Sequence, residues 1–261
     1  RILLALCAAL AFSSHGGETP VDCRELFKSA VATWHFADLK DSAGKNDLAA
    51  VGTVPFVKLD GDELQQSQHR GGDGIAAQFD GGYFDAGQGA VGALKLGGSA
   101  ITVYVRLRSP SGVWGGPLFS KHGGHENLVF NLFSHESAIG FELGTQRTPK
   151  MTQVAVPVAL IGAHDWHDIV CRYDGAKLQL FVDGVWLDEG FPMGPLREGN
   201  TVPCLIGAES IGGTVKSGWK GLLDHAALWN RALSDQEIEA LSGGAEQVAA
   251  RAKTYLGDLT C

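Results

Sequence analysis

A chain of 261 residues, with 44% hydrophobic and 19% charged side chains, has the material for a buried core and the composition of a folded globular protein. Its formal net charge of −8 argues against nucleic acid, whose phosphates call for a basic face, whereas an acidic surface suits neutral sugars and cations. The 36 glycines are scattered rather than periodic, as in a protein with many tight turns, and all-β sandwiches of this size form a single domain.

The first twelve residues, RILLALCAALAF, are one basic residue and an apolar run of about eleven, followed by SSHGG. A bilayer-spanning helix needs about 20 apolar residues, so no membrane span is expected here. Residues 1–16 read as a secretory signal, with the initiator methionine upstream of Arg1, and the expected location is secreted or at the cell surface. A buried N-terminal helix is the alternative; bulky Leu6 argues against a lipid anchor on Cys7. Export leaves Cys23, Cys171, Cys204 and Cys261, which allow three disulfide pairings, and the sequence does not choose among them. Cys171 and Cys204 fall inside expected strands, where a free thiol packs as a small hydrophobe. No C-x-x-C pair is present, which argues against structural zinc.

Strands are expected at 31–38 and 74–81, and then in SAITVYVRLRS (99–109). There Ile101, Val103, Val105 and Leu107 share one face, while Thr102, Tyr104, Arg106 and Arg108 share the other. NLVFNLF (127–133) and AIGFELG (138–144) repeat the alternation around a Ser/His-rich turn, as a hairpin would. In WHDIVCRYDGAKLQLFVDGVWLDEG (166–190), the turns Asp174-Gly175 and Asp183-Gly184 delimit a three-stranded meander. Two more strands are expected at 201–209 and 218–230. Helix is expected only at the end, where Ser234 and Glu237 form a capping box with Ile238 and Leu241 on the apolar side. Residues 242–244 then stop that helix, and 245–259 read as a second one. The fold class is therefore all-β: a two-sheet antiparallel jelly-roll β-sandwich with a short C-terminal helical extension.

Several segments in collinear order carry a resemblance. They are ATWHFADLKDSAGKNDLAAVG, AAQFDGGYFDAG, SAITVYVRLRS with PLFSKHGG, DWHDIVCRYDGAKLQLFVDGVWL with CLIGAES, and WKGLLDHAALWNRALSDQEIEAL. In this order the chain resembles bacterial laminin G-like modules of the concanavalin A-like lectin/glucanase superfamily over about residues 30–242. The resemblance implies a jelly-roll domain at 24–242, followed by a helical connector at 243–261 that leads to a downstream catalytic domain. It also implies a structural calcium ion held by Asp41, Asn46 and Asp224, with backbone carbonyls completing the shell. The competing reading of Asp224 is a hydrogen bond to loop amides with no metal.

Exposed rings stack on the apolar faces of sugars, and glycine-rich loops are where rings are expected to be exposed. Trp114 in SGVWGGP and Trp219 in KSGWKG are therefore the candidate ligand contacts, and His122 in SKHGGHEN is a candidate for the rim of a site. The competing reading makes His122 and His125 solvated loop residues, and Trp34, Trp166 and Trp229 read as core. No catalytic residues are recognised. A strand of alternating carboxylates is absent from the sequence, DQEIE belongs to the capped helix, HEN lacks a second histidine, and no Gly-x-Ser-x-Gly elbow occurs.

The expected function is a secreted, non-catalytic carbohydrate-binding accessory module beside a glycoside hydrolase domain in cis. Fructan- and sucrose-cleaving family-32 enzymes are the candidate neighbours by analogy. The alternatives are an adhesion or protein-interaction module, and a structural spacer.

Overall fold

A computed structural model describes residues 20–88, 94–148, 151–198 and 201–257; the expected signal at 1–16 and Cys261 lie outside them. Among these residues two large sheets carry the fold, and every strand pair within them is antiparallel. The larger runs in the order β13 (Val185–Gly190), β12 (Leu178–Val182), β11 (Trp166–Tyr173), β6 (Ile101–Arg108), β17 (Lys220–Trp229), β4 (Ile75–Asp80) and β3 (Phe56–Lys58). Its eighth strand, β1 (Ala32–Trp34), also pairs with β17. The seven-stranded sheet runs β10 (Thr152–Pro157), β9 (Ala138–Leu143), β8 (Leu128–His135), β7 (Gly116–His122), β14 (Pro203–Ile206), β5 (Tyr83–Gln88) and β2 (Ala49–Val51). A separate hairpin, β15 (Ala208–Ile211) with β16 (Thr214–Ser217), is fastened to β7 by Ser120 Oγ donating to the Ala208 carbonyl at 2.8 Å.

The alternation seen in the sequence does the packing. Val103, Val105 and Leu107 of β6 meet Phe119, Phe130, Leu132 and Phe141 of the opposite sheet in one apolar core. The expected meander is present as β11, β12 and β13, and its second turn has both Asp183 and Gly184 at positive φ (50° and 77°), the form that matches strand twist. Cys23, Cys171 and Cys204 are free, buried thiols, and burial pushes the Cys204 thiol up to about 12. Trp34, Trp166 and Trp229 are core residues, as expected.

The larger sheet is buried on its outer face as well. Tyr104, Val170, Phe181, Ala227 and Trp229 are covered by Leu26 and Phe27 of α1 (Cys23–Lys28), and by Ile238 and Leu241 near the chain's end. Helix α2 (Gly61–His69) lies over the same face, while a short α3 (Val158–Ile161) follows β10. Helix α4 (Asp235–Leu241) starts on the expected capping box, with Ser234 accepting from the Glu237 amide. Helix α5 (Ala245–Leu256), expected as part of a connector, packs Val248, Ala252, Tyr255 and Leu256 against the sandwich core.

Candidate functional site

A concavity of about 310 Å³ opens on the outer face of β7, β8 and β9, with the β15–β16 hairpin contributing Glu209 and Ile211 to its wall. Alternation places its side chains. Leu132 and Phe130 of β8 point into the core, so Asn131 and Phe133 point outward; Phe141 of β9 points inward, so Glu142 points outward. Asn131 Nδ2 donates to both Glu142 Oε2 and Glu209 Oε2 at 3.2 Å, and His122 Nδ1 lies 3.1 Å from the same Glu209 oxygen. The two carboxylates fix the orientation of the amide.

Two polar atoms here have no hydrogen-bond partner: His122 Nε2 and Asn131 Oδ1, on side chains that are 5% and 4% exposed. An unpaired buried polar atom costs free energy, and a ligand hydroxyl seated in the concavity would offset that cost. Beside them the half-buried Phe133 ring lies against Gly140, its cross-strand partner, where a Cβ would stand 2.5 Å from the ring. The site therefore combines an aromatic surface with polar groups short of partners.

Of the expected ligand contacts, only His122 lines this concavity, and it is buried rather than solvated. Trp114 and Trp219, expected as exposed rings, are 4% and 0% exposed and face one another with ring centroids 6.0 Å apart. The glycines of their loops serve close backbone approach instead of exposure. A Cβ on Gly116 would stand 2.4 Å from the Gly218–Trp219 peptide, and one on Gly221 would stand 2.4 Å from the Trp219 ring. Sequence reading missed Phe133, Asn131, Glu142 and Glu209. The outward register of NLVFNLF and AIGFELG carries the first three, while Glu209 is brought in by β15, which follows β14 across Gly207 at a positive φ of 81°.

Of the expected calcium donors, Asp41 and Asn46 bond to one another, and Asp224 has partners of its own. Asp41 Oδ1 accepts from the amides of Thr33, Ala43 and Gly44, and its Oδ2 accepts from the Asn46 amide and Asn46 Nδ2. Asp224 accepts from Ser67 Oγ at 2.8 Å and lies 3.2 Å from Arg106 Nε and 3.0 Å from His225 Nδ1. Burial pushes its carboxyl up, but His225, Arg106 and Ser67 together outweigh this and hold it below the usual range. These donors do not fit a calcium ion, because Asp41 is filled by N–H groups and Asp224 already faces a guanidinium. Among the described residues no three His, Cys, Asp or Glu side chains are grouped to hold a metal.

The chain belongs to the concanavalin A-like lectin/glucanases superfamily, whose laminin G-type sequence model matches residues 80–239. No curated protein matches it in sequence. Among solved structures it is similar to domain 4 of AbnA, an extracellular arabinanase of Geobacillus stearothermophilus in complex with arabinotriose. That match has 14% identity and a TM-score of 0.54, over 82% of this chain and 98% of the domain. It is also similar to the CBM40 of a Ruminococcus gnavus IT-sialidase bound to α2,3-sialyllactose, with 15% identity, a TM-score of 0.51, and coverage of 67% and 96%. The receptor-binding domain of botulinum neurotoxin mosaic serotype C/D matches at 10% identity and a TM-score of 0.57, over 83% of this chain and 51% of that one. These are likenesses of fold. No described helix is long and apolar enough to cross a membrane.

Proposed function

We propose that this chain is a non-catalytic carbohydrate-binding module of an exported protein, and that its site is the concavity on β7, β8 and β9. The observation that carries the reading is the pairing of the Phe133 ring with the unpartnered His122 Nε2 and Asn131 Oδ1. An aromatic face beside convergent polar groups is what a sugar ring requires, with its apolar C–H face and its rim of hydroxyls. The volume of about 310 Å³ is at the lower end of small-ligand sites, which suits one end or one unit of a glycan. The two-sheet order is read as a jelly roll, with the domain at 24–242 and a signal at 1–16 directing secretion. The sugar complexes of two fold neighbours support the same reading. The test is a glycan array followed by titration calorimetry. Phe133→Ala is expected to weaken binding at least tenfold, about 1.4 kcal/mol, with little change in melting temperature. Unchanged affinity would remove the site.

An accessory role beside a glycoside hydrolase domain is part of this proposal, with the family-32 enzymes as the named candidates. The gene sequence beyond the codon for Cys261 tests it directly. A protein-interaction module is the second reading, and it rests on Phe191 and Met193, both 64% exposed in the loop after β13. Silence on the glycan array, together with loss of a protein partner in Phe191→Ser, would favour it over sugar binding.

A further inference from the structure

The open valences of the concavity are unequal in kind. Glu142 and Glu209 accept only, and Asn131 spends its Nδ2 on both of them, leaving Oδ1 as an acceptor. His122 Nδ1 is engaged with the Glu209 carboxylate, and its Nε2 faces the concavity without a protein partner. No Lys or Arg side chain lines the concavity among the described residues. The nearby Lys121 ammonium donates to the Val202 carbonyl at 2.9 Å, and the Arg197 guanidinium is turned to the carbonyls of His125 and Thr148. The carboxylates of Glu142 and Glu209 are the acidic groups of the lining, so an incoming group meets acceptors and negative charge beside one half-buried ring and the imidazoles of His122 and His125.

We infer that the concavity takes a neutral sugar unit through donating hydroxyls and rejects sugars that carry a carboxylate; the inference rests on the carbohydrate-binding reading above. A hydroxyl can donate to Asn131 Oδ1 or to either glutamate, and adjacent hydroxyls can reach two acceptors at once. A sugar carboxylate has only lone pairs to offer, so it leaves Asn131 Oδ1 unpaired and adds a third negative charge beside two existing ones. Desolvation in the concavity strengthens that repulsion, because the charges are less screened there than in bulk water.

The test is an oligosaccharide array that prints neutral glycans beside counterparts differing by one sialic or uronic acid residue, followed by calorimetry on the pairs that respond. The wild-type protein is expected to bind the neutral member at least tenfold more tightly. In Glu142→Gln/Glu209→Gln, which keeps side-chain shape, that ratio is expected to fall several-fold toward one. A salt series on the wild type gives a second measure that does not depend on the variant, since raised ionic strength should narrow the same ratio. Equal or tighter binding of the acidic member overturns the inference while leaving sugar binding intact. So does a ratio that is unmoved by both the charge-removing variant and salt. Silence across both glycan classes overturns the carbohydrate reading itself, and the inference with it.

Discussion

Arg106 stands between two carboxylates, with Nε 3.2 Å from Asp224 and Nη1 3.5 Å from Asp168, and all three side chains are buried. Arg70 Nη2 donates to the same Asp168 oxygen, Oδ2, at 2.7 Å, and the Tyr104 hydroxyl donates to Oδ1 at 2.7 Å. Removing one member of a buried ion network leaves its partner charged and unpaired, at a cost of about 3–5 kcal/mol. Arg106→Met, which keeps the stem but removes the charge, is expected to destabilise the protein by that amount in chemical denaturation. The same arrangement bears on the metal question. Because Asp224 is matched to a guanidinium and Asp41 to five N–H groups, chelation by EDTA is expected to leave the melting temperature unchanged. A fall of several degrees would show that an ion is bound after all. The sequence shows an aspartate in an apolar strand; it does not show that Arg106, more than a hundred residues away, is the group opposite it.

At the scale of elements, the glycine at position 140 decides how the concavity is surfaced. Its φ is not in the left-handed region, so alanine is tolerated by the backbone, but the new methyl would occupy the place of the Phe133 ring. Because Phe133 is half-buried at the surface, the ring can tilt away. Gly140→Ala is therefore expected to weaken glycan binding several-fold while changing stability by less than about 1 kcal/mol, as read by calorimetry and thermal melting. Such strands were legible because their alternation is strict: β6, β8, β9 and β11 to β13 all lie within the stretches their patterns mark, give or take terminal residues. Helix α2 was not legible. It docks through polar side chains, with Gln66 on Arg106, Ser67 on Asp224 and Glu63 on Arg108, so GDELQQSQH lacks the apolar stripe by which an amphipathic helix is recognised. The site suffered similarly. Phe133 reads as one more strand aromatic, and its role appears only when Gly140 and the β15–β16 hairpin are set beside it.

The whole molecule is closed on the larger sheet's side by polar as well as apolar contacts, and this gives its stability a dependence on pH. Helix α5 is fastened where Tyr255 Oη donates to Asp183, a carboxylate that also receives the Asp168 amide at 2.8 Å and lies 3.0 Å from His167 Nδ1. Burial raises the Asp183 carboxyl, but His167 and Tyr255 outweigh it and hold it low, as His225 and Arg106 do for Asp224. For a carboxylate held low in the folded state, the contribution to stability is present above about pH 4 and is lost as pH falls through the folded value. A half-buried histidine acts earlier in the same titration. His35 packs edge-on to His225 at 4.6 Å, against Phe27 at 5.6 Å, and also feels Asp224; burial, followed by repulsion from His225, lowers its imidazole from 6.5 to about 3. The unfolded chain then takes up a proton near pH 6.5 that the folded chain refuses until near pH 3. Stability from this group is full above pH 6.5 and declines on acidification, with a slope of at most about 1.4 kcal/mol per pH unit. Denaturation measured from pH 7 to pH 4 should show that decline, and His35→Phe should flatten it while retaining the ring packed on Phe27. If the variant keeps the full slope, the proton is being taken by another group, and His35 is not the residue that sets the acid limit of the fold.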